Sequence, residues 1–159
     1  MNNRNVNCRT TIPALVMAVA VTCLSSLTAQ AQGTQESAIV GTWHVQVFFD
    51  PGQTQLLFES YKQWHSDGLE FESADLGPGV LCVGTWKAMG RYGARLYHVG
   101  WTYGNPVGTT RFVWTETETV SADRSSYDGS GQITYYDGNG NQVGDPLPTY
   151  PHATRLPPQ

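Results

Sequence analysis

Between residues 40 and 156, apolar side chains recur at every second position in short runs. Gly, Asp, Asn and Pro separate the runs. A period of two marks a β-strand with one buried face. Val45, Val47 and Phe49 alternate in this way, as do Phe112 and Trp114. The pattern predicts strands over 40–49, 60–65, 69–73, 81–89, 95–103, 109–120 and 126–136, with a short last strand near 153–156. Residues 56–59 read as a short helical turn after Asp50-Pro51-Gly52. Asp67-Gly68 predicts a two-residue hairpin and Asp137-Gly138-Asn139-Gly140-Asn141 a longer one. About eight consecutive strands with short links predict an all-β, eight-stranded antiparallel up-and-down barrel, which removes exposed sheet edges. An immunoglobulin-like sandwich is the alternative, but its long crossovers do not fit these links.

Residues 1–31 follow another pattern. Arg4 and Arg9 precede an apolar stretch over 12–27, and Ala29-Gln30-Ala31 follows it, with no acid in the segment. This is the tripartite plan of a secretory signal, and the apolar stretch is shorter than the ~20 residues that span a bilayer. Export to the periplasm or beyond is expected, with cleavage after Ala31 and no stable membrane insertion afterwards. Residues 32–38 are expected to be a flexible segment. Cleavage leaves Cys82 alone, so no internal disulfide is possible; its apolar run predicts a buried, inert thiol.

The 159-residue chain has nine basic residues and thirteen acids. Without Arg4 and Arg9, seven basic residues oppose the thirteen acids, a net charge of −6. That balance argues against nucleic-acid partners, which reward clustered Lys and Arg.

The Gly41-Thr42-Trp43 stretch resembles the Gly-x-Trp opening of lipocalins and the wider calycin group. The order of further pieces is similar to that of small secreted bacterial lipocalin-like proteins. These pieces are Trp64–Gly68, Gly84–Trp86, Ser121–Asp123, Asp137–Asn139 and Ala153–Leu156. The resemblance covers 39–157 and implies a calycin-type barrel domain. It departs from the family in lacking the second lipocalin signature and its cysteine bridge.

Candidate chemistry lies on the strands. Over 109–120 one face carries Phe112, Trp114, Glu116, Glu118 and Val120. An unbroken register points both glutamates inward, whereas a bulge or rim position leaves them solvated. Over 95–103, Tyr97, Val99, Trp101 and Tyr103 share one face and Leu96, His98, Gly100 and Thr102 the other; either face could line the interior. No histidine pair has helical zinc-site spacing, so no metal and no cofactor is expected. Asp137, Asn139 and Asn141 lack the glycine and terminal acid of a calcium loop. Gly129 and Gly131 read as positions that relieve crowding.

The expected function is binding of a small apolar or amphipathic molecule inside the barrel. Trp86, Trp101, Phe112 and Trp114 are the wall candidates, with His98 and Glu116 as polar contacts. The alternative is an isomerase or cyclase that uses an interior carboxylate or histidine for proton transfer. A filled barrel would favour a structural role. An inward carboxylate within reach of a second titratable group would favour the enzyme.

Overall fold

A computed structural model describes residues 36–77, 80–102 and 108–158. The expected signal segment, and residues 32–35 of the segment that follows it, lie outside these. The strands are β1 (Gly41–Phe48), β2 (Leu56–Trp64), β3 (Leu69–Ala74), β4 (Leu81–Met89), β5 (Gly93–Trp101), β6 (Thr109–Val120), β7 (Ser126–Asp137) and β8 (Gln142–Arg155). Each pairs antiparallel with the next, and β1 pairs with β8, closing an up-and-down barrel. No helix occurs among the described residues. The architecture is consistent with a lipocalin-like fold.

Two strands depart from the sequence pattern. Leu56–Glu59 is not a helical turn but the start of β2, paired with β1 through a register shift at Val47/Phe48. Its inward residues Phe58, Ser60, Lys62 and Trp64 mix polar with apolar and so hide the alternation. β8 begins at Gln142, well before residue 153. Pro146, Pro148 and Pro151 argue against a strand in sequence terms. Proline's fixed φ nevertheless suits extended backbone, and the β7–β8 pairing is irregular at Ile133/Tyr135.

The turns follow from their residues. The β2–β3 link spans His65–Gly68, longer than the expected two residues. Its Gly68 N–H donates to His65 O at 3.1 Å, and φ at Gly68 is 89°. A positive φ at that point of a hairpin suits glycine. The Asp137–Asn141 turn repeats the device with Gly140, and the Asp137 carboxylate accepts the Asn139 and Asn141 N–H groups.

One end of the barrel is sealed. The Trp43 indole donates to Ile39 O at 2.7 Å and meets Tyr127 edge-on at 4.8 Å. Trp64 packs edge-on against both Tyr127 and Trp86. The Arg155 guanidinium stacks 4.0 Å from the Trp43 ring and donates to the carbonyls of Ala38, Val40 and Arg124. Ala38, the last residue of the segment expected to be flexible, is buried.

Candidate functional site

Above the sealed end the interior is charged. Strand alternation turns Ser60 and Lys62 of β2, Glu70 and Glu72 of β3, His98 of β5, and Glu116 and Glu118 of β6 inward; all are buried. The register brings them together: Lys62 lies opposite Glu72, Glu70 opposite Gly84, Gly84 opposite His98, and His98 opposite Trp114. Lys62 Nζ donates to Glu116, stands 3.8 Å from Glu72 Oε1 and lies over the Trp114 ring at 4.2 Å. Ser60 Oγ donates to Glu72 Oε1 at 2.6 Å. His98 Nδ1 stands 3.2 Å from Glu70 Oε2, and its Nε2 3.6 Å from Glu72 Oε2. The Trp114 indole donates to Thr149 Oγ1 at 2.8 Å, which fixes that ring against His98 and Phe58.

Four interior carboxyls thus share one lysine and one histidine. Burial disfavours every charged form, and neighbouring charges then decide each case. Burial pushes Glu70 up to about 7 and also raises Glu116, where Lys62 opposes the shift. Glu118 is raised well above the ordinary glutamate range, first by burial and then by the Glu116 charge. Both of its oxygens lack a hydrogen-bond partner. Burial lowers His98 to about 4, so its imidazole is neutral at neutral pH. Burial alone would lower Lys62 as well, but Glu116 and Glu72 override it and raise it well above the ordinary lysine range. The Cys82 thiol is pushed up by burial and by Glu72, in keeping with an inert thiol.

Glycines make the room. A Cβ on Gly129 would collide with the Glu118 carboxylate, and one on Gly131 would meet Glu116 Cγ at 3.0 Å and Trp114 Nε1 at 3.1 Å. A Cβ on Gly84 would stand 2.7 Å from Glu70 Oε2. Glu70, Glu116 and Glu118 are thus each matched by a glycine directly opposite on the neighbouring strand.

The end opposite the seal holds a cavity of about 60 Å³. Phe58, Cys82, Phe112, Trp114, Ile133 and Tyr135 form its apolar wall, and Glu72 is its charged lining residue. A larger groove of about 680 Å³ runs along the outer wall, past Trp86, Lys87, Arg95, Tyr97, Glu116 and Tyr150. It is open to solvent, and the buried Glu116 carboxylate pairs with Lys62 inside the barrel. The cavity at the barrel end is the less open of the two and reaches Glu72 of the cluster, which makes it the stronger candidate site.

The structure brings His98, Phe112, Trp114 and Glu116 together inside the barrel. Trp86 also faces inward but sits half-buried at the sealed end, donating to His65 O and Leu69 O, and does not border the cavity. Trp101 requires a correction. It is 63% exposed on the outer wall, because pairing with β6 places His98 beside Trp114 and turns the aromatic face of β5 outward. The sequence reading missed Lys62, Glu70 and Glu72. Their strands carry apolar residues outside and charge inside, as with exposed Leu69 beside buried Glu70. The only signal was the strict alternation of Leu69-Glu70-Phe71-Glu72, which marks two faces without naming the inner one.

No protein-family model, curated protein or solved structure matches the chain.

Proposed function

We propose that this is an exported binding protein that takes one end of a small amphipathic molecule into the open end of its barrel. The carrying observation is the apolar ring of Phe58, Phe112, Trp114, Ile133 and Tyr135 at that end, with Glu72 at its charged edge. Pockets of this make-up, apolar with few polar groups, favour flat or aliphatic groups and orient them by the polar contact. A cavity of about 60 Å³ is far below the ~300 Å³ of a drug-sized pocket, so only the tip of a ligand enters. The rest lies across the rim near Leu57 and Leu76. Export rests on the Ala29-Gln30-Ala31 pattern and is tested by the N-terminus of secreted protein, expected at Gln32.

Proton-transfer catalysis is the second reading, favoured by Glu72, which lines the cavity, and by His98, whose Nε2 stands 3.6 Å behind it. It belongs to that pair rather than to Glu116, which is tied to Lys62.

The test uses 1-aminoanthracene, a fluorescent amphipathic probe. It is expected to bind the intact protein and to quench tryptophan fluorescence through Trp114. Ala74→Phe, which fills the rim, is expected to weaken binding at least tenfold while keeping the β-sheet circular dichroism spectrum. Equal affinity in the folded variant, or no binding to the intact protein, overturns the reading.

A further inference from the structure

Glu70, Glu72 and His98 each offer one ligand atom, and these atoms lie within 4.8 Å of one another. All three side chains are at most 1% exposed. We propose that Glu70, Glu72 and His98 form a binding site for one divalent transition-metal ion.

Three observations support it. First, the donors are unsatisfied: Glu70 Oε1 and His98 Nε2 are buried and have no hydrogen-bond partner. Buried polar atoms are almost always paired, so two orphans in one cluster point to a missing partner. Second, a neutral imidazole has one N–H and one lone pair. Both ring nitrogens of His98 face carboxylate oxygens, Nδ1 toward Glu70 and Nε2 toward Glu72. When both carboxyls are ionised, whichever nitrogen carries the proton, the other presents a lone pair to a carboxylate oxygen. A cation between them converts that repulsion into coordination. Third, no lysine or arginine among the described residues pairs with Glu70. Lys62 is committed to Glu116 and approaches Glu72 at 3.8 Å, so Glu70 and His98 are left to each other.

Imidazole and carboxylate suit zinc and its neighbours in the transition series, and three protein ligands leave a coordination position open. Bonds of about 2.1 Å would place tetrahedral ligand atoms ~3.4 Å apart, so binding draws the three side chains together. The cavity beside Glu72 gives the ion access. The site is independent of the ligand reading, because the ion is held by side chains alone.

The test is titration of the full chain with zinc, followed by cobalt(II). One ion per chain is expected, removable by a chelator, with a rise in melting temperature on reloading. Long-range ¹H–¹⁵N spectra should show the His98 ring nitrogens moving while those of His44, His65 and His152 stay in place. His98→Gln and Glu70→Gln are expected to weaken binding at least a hundredfold, and Glu118→Gln to leave it unchanged. Should the first two variants fail to fold, the histidine spectra of the intact chain decide. Binding confined to the surface histidines, or no stoichiometric binding by the folded chain, overturns the proposal and leaves protons to balance the cluster. Loss of metal with probe binding retained would count against this site alone.

Discussion

At the residue scale, the interior depends on pairs in which one partner has no side chain. Gly129 and Glu118 are the sharpest case, since a Cβ on Gly129 has no space beside the carboxylate. Overpacking of a filled core costs about 1–3 kcal/mol. Gly129→Ala is therefore expected to lower stability by at least that amount in urea unfolding. Pairing it with Glu118→Ser should recover most of the loss, because the added methyl then occupies the vacated volume. Coupling between contacting residues is commonly ~0.5–3 kcal/mol, so a double-mutant cycle can resolve it. Additive losses would show that Gly129 is needed for backbone reasons rather than for room.

At the scale of elements, β8 and the turn before β1 close the barrel through Arg155. Its guanidinium reaches three carbonyls from two segments, Ala38 and Val40 before β1 and Arg124 between β6 and β7, and stacks on Trp43. A planar fork does this where a lysine ammonium cannot. Arg155→Lys is expected to cost about 1–3 kcal/mol, the scale of lost charge-assisted hydrogen bonds. Amide exchange should rise at Ala38, whose N–H donates to Arg91 O at the same end. Unchanged exchange there would mean that the seal rests on Trp43 and its aromatic neighbours alone.

At the scale of the whole molecule, the buried charges set the pH response. Glu70, Glu116 and Glu118 hold their protons more tightly in the fold than in the unfolded chain. Such groups contribute stability below the ordinary glutamate range, and lose it as pH rises toward their folded values. Each contributes a slope of about 1.4 kcal/mol per pH unit while it stays protonated only in the fold. His98, lowered to about 4, acts oppositely, losing stability as pH falls from the ordinary histidine range toward 4. Three carboxyls outweigh one imidazole. With a chelator present, the chain is expected to be more stable at pH 5 than at pH 7, and Glu118→Gln should flatten the difference. A variant with the wild-type slope would place the Glu118 proton elsewhere.

The eight-stranded barrel was legible in the sequence because alternation, β-branched runs and glycine turns act locally, over a few residues. β4 and β6 have the bounds that their patterns predicted. Glu116 and Glu118 were legible only conditionally, since Phe112 and Trp114 marked one face of β6. Which face of the other strands is inner was a tertiary decision. Period two separates two faces, but burial identifies the inner one only when that face is apolar. In β3 the charged face is inside, and in β5 the aromatic face is outside, because pairing around a closed ring sets the orientation. The compensating groups are far apart in sequence: Lys62 meets Glu116 across 54 positions, and His98 meets Glu70 across 28. No local pattern carries such a pair, so the charged interior exists only once the barrel has closed.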